Sequence, residues 1–218
     1  MSEPSVNLTR SRTQKCIIDA LANLMKEKSF DSLTVKDIAA RAGINRTTFY
    51  RHFRDKFDIA SVILDDIIEI TIKNIGDPAL IFDQLSSQNS DERNFTEWFI
   101  KNSIQSTCKV FDFLKENALL YRPLLGSSGS MWFYMKLRDS LAEKCLELID
   151  KIKDKKKESP ETYTVSHRTA AVSRASMFVG LASSWLDNGM PVSSKIIATE
   201  YFYLIMKGYY RALGFKCT

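Results

Sequence analysis

The chain has 218 residues, enough to bury a sizeable core without disulfides or metals, and its 44% hydrophobic content is ordinary for a globular protein. Eight glycines and five prolines are too few for an all-β protein, and apolar residues recurring at three- and four-residue spacing point to long helices joined by short loops. The net charge of +5 gathers at one end: residues 1–60 carry 11 basic and 7 acidic side chains and residues 61–218 carry 20 and 19, the footprint of a basic head that meets a polyanion.

The first predicted helix runs from Ser11 to Lys28. Ile17, Ile18, Leu21, Leu24 and Met25 form its apolar stripe, and Ser11 with Gln14 makes a capping box. Ser29–Ser32 interrupts the pattern, and a second box, Thr34 with Asp37, opens a short helix containing Ile38, Ala39 and Ala42. Gly43 stands where a helix C-terminus needs a left-handed residue. Ile44 is apolar enough to plug the gap between two helices, and Asn45 is a favoured N-cap for the next. In Arg46-Thr-Thr-Phe-Tyr-Arg-His-Phe53, Phe49 and Phe53 lie four apart and dock inward, leaving Arg46, Thr47, Tyr50, Arg51 and His52 outward. A helix of about two turns is unstable alone in water, so its neighbours must brace it. Its outward face is rich in groups that donate to phosphates or base edges and carries no acid before Asp55. Asp55 caps a fourth helix, about residues 55–74, with Ile59, Ile63, Ile67 and Ile70 as its inner stripe.

Gly76–Asn94 is mixed and polar and reads as a loop. Helical patterning resumes near Phe95, with Trp98, Phe99, Ile104, Phe111 and Leu114, and Ala118–Leu125 is a further short helix. Gly126–Ser130 reads as a flexible turn before a long helix over Met131–Ile152, and Lys151–Glu161, with Pro160, as a solvated loop. Two helices follow, about residues 166–188 and 193–213. Ala171, Ala175, Val179, Ala182 and Leu186 form a stripe on the first; Ile197, Tyr201, Leu204, Ile205 and Tyr209 form one on the second.

Taken together, Thr34-Val-Lys-Asp-Ile-Ala-Ala-Arg-Ala-Gly-Ile-Asn-Arg-Thr-Thr-Phe-Tyr-Arg-His-Phe-Arg-Asp-Lys56 resembles the DNA-binding signature of the bacterial tetracycline-repressor (TetR/AcrR) family. Trp185-Leu-Asp-Asn-Gly-Met190 is similar to a junction before the last helix in one subgroup. The resemblance implies an all-α fold with a three-helix helix-turn-helix DNA-binding domain over residues 1–56 and a helical ligand-binding and dimerisation domain over residues 57–218. It implies that Arg46 and Thr47 read bases and that Thr48 touches a base or the backbone. Tyr50 and His52 would then meet phosphates, as would Thr34 and Lys56, whose places at the starts of helices suit that role. Arg51 joins them on its charge and outward position. Arg46 suits guanine O6 and N7, and equally a phosphate. The resemblance further implies a homodimer on a near-palindrome, with Ala171, Ala175, Val179, Ala182, Leu186, Ile197, Tyr201, Leu204 and Ile205 at the seam. Trp98, Phe99, Asn102, Gln105, Phe111, Tyr121, Trp132, Tyr134, Phe178 and Trp185 are candidates for an effector pocket. Release of double-stranded DNA by a small-molecule effector is the expected mechanism of repression.

No carboxylate pair, nucleophile triad, glycine-rich phosphate loop or metal-ligand spacing suggests an enzyme, a cofactor or a metal site. Cys16, Cys108, Cys145 and Cys217 are scattered. With no secretion-like apolar start and no long uncharged stretch, the expectation is a cytoplasmic protein without membrane contact. The rival readings are a co-regulator that keeps the fold without binding an operator, and an activator.

Overall fold

In the N-terminal third, helices begin where a side chain can satisfy their first free N–H groups. Ahead of α1 (Arg12–Leu24), Ser11 Oγ accepts from Gln14 N at 3.2 Å and Gln14 Oε1 accepts from Ser11 N at 3.0 Å. Ahead of α2 (Val35–Arg41), Thr34 Oγ1 accepts from Asp37 N at 3.2 Å while Asp37 Oδ2 accepts from Thr34 N at 3.0 Å. A 3-10 turn, Phe30–Ser32, joins the two. α2 stops at Gly43, whose φ of +67° lets Gly43 N reach Ala40 O and Ile44 N reach Ala39 O, so the last carbonyls are not orphaned. For α3 (Arg46–His52), Asn45 Oδ1 accepts from Thr48 N at 2.7 Å. For α4 (Lys56–Ile75), Asp55 Oδ1 accepts from Asp58 N at 2.9 Å.

The computed structural model describes residues 10–75, 92–127, 129–156 and 165–208. Beyond α4 it contains α5 (Glu92–Glu116), α6 (Ala118–Leu125), α7 (Met131–Lys156), α8 (His167–Asp187) and α9 (Ser194–Lys207), with no strand among the described residues. The fold is all-α, as expected. α4 lies against α5 and α7, α8 packs along α7, and α9 packs along α5. No described helix is long and apolar enough to cross a membrane.

One hydrophobic core runs from Ile17, Leu21, Phe49 and Phe53 through Ile59, Ile63 and Ile67 to Phe111, Phe133, Val179 and Tyr201. The head therefore has no separate core of its own. Tyr121, fully buried on α6, donates its hydroxyl to Ile63 O at 3.0 Å and so fastens α6 to the middle of α4. In the same middle stretch of α4, Arg10 donates to Asp66 Oδ1 at 2.6 Å and to Val62 O at 2.9 Å.

The glycines between α6 and α7 are held by close contact. A Cβ on Gly126 would strike the Asp187 carboxylate, and one on Gly129 would lie 2.5 Å from Leu124 O. At Gly126 the expected flexible turn is thus a tight passage against α8. After α8 the chain turns through Gly189 and Met190, both at positive φ, and Trp185 Nε1 donates across the turn to Val192 O at 2.9 Å.

Candidate nucleic-acid interface

α3 is short and polar, and its position is set by what it buries. Phe49 and Phe53 are 0% and 2% exposed, as the four-residue spacing requires, and their removal from water braces the helix against α1 and α2. Arg46, Thr47, Tyr50 and Arg51 are left exposed, Tyr50 at 51%. Thr48 and His52 are half-buried. Arg46 leans along the helix onto Tyr50: its Nη2 donates to the Tyr50 hydroxyl at 3.3 Å, with the guanidinium carbon 5.9 Å from the ring centroid. No acidic residue lies within α3.

Thr34, exposed at the N-terminus of α2, gives its hydroxyl hydrogen to Asp37 Oδ2 at 2.8 Å. The Thr34 hydroxyl and N–H together hold the Asp37 carboxyl below the ordinary carboxylate range. Arg41 at the far end of α2 bonds both carboxylate oxygens of Glu27, each at 2.9 Å. That hydrogen bond, followed by the charge attraction, keeps Glu27 low.

Lys56, expected to meet a phosphate, turns its ammonium onto the backbone. Its ammonium donates to Phe30 O at 3.0 Å, Asp31 O at 2.6 Å and Leu33 O at 3.1 Å, which uses all three of its hydrogens. The three carbonyls converge where the 3-10 turn ends, and Phe30 O also accepts from Leu33 N at 3.2 Å. Two other cations on the head are open to solvent: Arg54, just beyond α3, has a side chain 87% exposed although its guanidinium pairs with Asp58 at 3.3 Å, and Lys36 is exposed in the first turn of α2. Motif matching passes over both; their charge beside a helix N-terminus is the signal that marks them.

The aromatic residues expected to line a pocket do not converge on one. Phe111 is fully buried edge-on to Trp185 at 5.3 Å and against Phe178 at 5.6 Å, so these three rings are core. Tyr121 is core as well. Trp132 packs instead on Phe57 of α4 at 5.2 Å. Asn102 is half-buried and Gln105 exposed on α5, while the side chains of Trp98 and Phe99 lie outside the described residues. Tyr134 faces a cleft of about 990 Å³ between head and body, shared with Met25, Phe30, Arg122, Ser183 and Asp187.

Most of the residues expected at the dimer seam are buried within the chain. Ala171, Ala175, Val179, Ala182 and Leu186 are at most 2% exposed, and Ile197 and Tyr201 are 7% and 5%, all covered by their own chain. Small residues let α8 approach α7 closely, which is an intrachain use of the same stripe. Leu204 and Ile205 are half-buried, and the apolar side chains left exposed on α8 and α9 include Val172, Ile196 and Tyr203.

Residues 17–62 match the family model for bacterial regulatory proteins of the TetR family, and residues 101–207 match a model for a transcriptional regulator C-terminal region. A helix-turn-helix-type transcriptional regulator of Haemophilus influenzae, itself uncharacterized, is 28% identical over 121 residues, 55% of this chain. The match spans about half of that relative, 52% of its length. Among solved structures, one assigned to the TetR-family transcriptional regulators of Syntrophomonas wolfei superposes with a TM-score of 0.63 at 17% identity, over 94% of this chain and 97% of that one. NalD of Pseudomonas aeruginosa, the secondary repressor of the MexAB-OprM multidrug efflux pump, superposes with a TM-score of 0.58 at 17% identity, over 90% and 96%. At such identities the likeness is one of fold.

Proposed function

Since the chain belongs to the TetR family of bacterial regulatory proteins, we propose that it is a sequence-specific DNA-binding transcriptional repressor that works as a homodimer. The observation that carries this reading is α3 itself: a two-turn helix with Phe49 and Phe53 buried behind it and Arg46, Thr47, Tyr50 and Arg51 turned to solvent. Arg46 and Thr47 occupy the first turn, where a recognition helix meets base edges in the major groove. Tyr50, Arg51 and His52 follow on its second turn, with Thr34, Arg54 and Lys36 as flanking donors to phosphate.

One such helix spans too few base pairs for useful selectivity. A two-fold pair, roughly 34–36 Å apart, reads two half-sites. The seam we assign to it uses the side chains still exposed on α8 and α9 rather than those in the core. Repression is relieved when a small molecule favours a body conformation whose heads fit DNA poorly, with reciprocal weakening of both ligands. The cleft lined by Tyr134 touches head and body together, and is the place we assign to that molecule.

Selection of bound duplexes from a random pool tests the reading. The protein enriches one near-palindromic sequence, and Arg46→Ala loses preference at one base pair per half-site, worth about 1–3 kcal/mol. Enrichment of no sequence by the parent, or an identical selected sequence for Arg46→Ala, refutes it.

A further inference from the structure

We propose that Trp132, far from α3 in the chain, is a positioning residue for DNA recognition that acts through Phe57 and Lys56. The proposal rests on the DNA-binding reading above. Lys56 is the point where the two ends of the helix-turn-helix meet. It opens α4 four residues after α3 ends, and its ammonium grips the Leu33 carbonyl, immediately before Thr34 at the start of α2. The lead-in to one DNA-facing helix and the exit from the other are thus tied to a single cation.

That cation sits between two rings. Lys56 Nζ is 5.1 Å from the Phe30 ring centroid and 5.4 Å from that of Phe57, and the two rings meet edge to face at 5.5 Å. Phe30 is fixed, being 1% exposed within the core. Phe57 is 37% exposed and has no such bed. What steadies it from the body is Trp132 in the first turn of α7, edge to face at 5.2 Å and 64°. Without the indole, Phe57 would face water and gain rotamers, and the wall on one side of the Lys56 ammonium would loosen. Trp132 stands on α7, which packs on α4, and the path we assign from it to the DNA-facing helices runs through this stack.

The test measures affinity for a duplex selected from random DNA, across a salt series, for the full-length parent and four variants: Trp132→Ala, Trp132→Phe, Phe57→Leu and the Trp132→Ala/Phe57→Leu double. Trp132→Ala and Phe57→Leu are each expected to bind about three- to tenfold more weakly, the range an aromatic pair is worth. The slope of log affinity against log salt stays at the parent value, because no phosphate contact is lost. Trp132→Phe, which keeps a ring edge for Phe57, returns to within about twofold. The double variant is no weaker than the weaker single, because Trp132 acts through Phe57 and has nothing left to steady once that ring is gone. Losses that multiply in the double, a flattened salt slope, or parent-like binding by Trp132→Ala each overturn the proposal. If Trp132→Ala does not fold, Phe57→Leu reads the same contact, and parent-like binding by it overturns the proposal equally. A parent that selects no sequence defeats the DNA-binding reading and this one with it. A parent that selects DNA beside an unaffected Trp132→Ala defeats this one alone.

Discussion

Two substitutions at Asn45 separate the architecture of α3 from its use. Asn45→Ala removes the acceptor that holds Thr48 N at 2.7 Å, and an N-cap of this kind is worth about 1 kcal/mol, within a range of about 0.5–2. In a chain of this length that lowers Tm by roughly 2–4 °C. Asn45→Asp keeps the acceptor and places a negative charge where the helix dipole favours one, so Tm stays at or above the parent value. The same carboxylate would stand at the end of α3 that approaches DNA. A phosphate about 5 Å away repels it by about 0.8 kcal/mol even at the dielectric constant of water. With one or more phosphates at that range, Asn45→Asp binds DNA several-fold more weakly and with a shallower salt dependence. The alanine variant is thus marked by its melting curve and the aspartate variant by its DNA affinity. Calorimetric melting and fluorescence anisotropy on one selected duplex check the pair. An aspartate variant that melts as low as the alanine variant refutes the cap, and one that binds as well as the parent refutes the approach of α3 to phosphate.

Lys56→Met keeps the length of the side chain and removes one donor from each of three carbonyls, of which Phe30 O keeps the Leu33 N–H. The expected cost is about 1–3 kcal/mol of stability, with the salt slope of DNA binding unchanged. Arg51→Ala, by contrast, lowers that slope by about 0.9; a Lys56→Met variant with parent stability and a lowered slope would return Lys56 to the phosphate. Burial pushes the Asp66 carboxyl above the ordinary carboxylate range, against the pull of the Arg10 guanidinium 2.6 Å away. Between the unfolded and folded values the native chain keeps a proton that the unfolded chain has released. This contribution is therefore complete below the unfolded value and is lost as pH rises through the folded one. Asp66→Asn abolishes that part of the stability-against-pH curve, and an unchanged slope in chemical denaturation across the window contradicts the assignment.

The head was legible because its signals are local. Caps act over three residues, so Ser11, Thr34 and Asn45 announce their partners in the sequence, and Gly43 announces a turn that needs a positive φ. Phe49 and Phe53 share a face by helical geometry alone. The body was less legible because its choices are tertiary. The alanine stripe of α8 permits close approach by any helix, and only the folded chain shows that α7 takes it. Phe111, Phe178 and Trp185 are apolar enough for a pocket wall or a core, and close packing against one another decided the matter. The hold on Lys56 shows the same limit: the carbonyls it meets lie more than twenty residues upstream, beyond the reach of any spacing rule.

The unbroken core running from Ile17 to Tyr201 bears on how such a protein can be rebuilt. A head cut away at the start of α4 would leave behind Ile59, Ile63 and Ile67, which share one cluster with Phe49 and Phe53. Exchange of DNA specificity between relatives is therefore better attempted by repainting the outward side chains of α3 than by transplanting the first fifty-six residues whole. A grafted head would bring the right letters and arrive without the floor on which they stand.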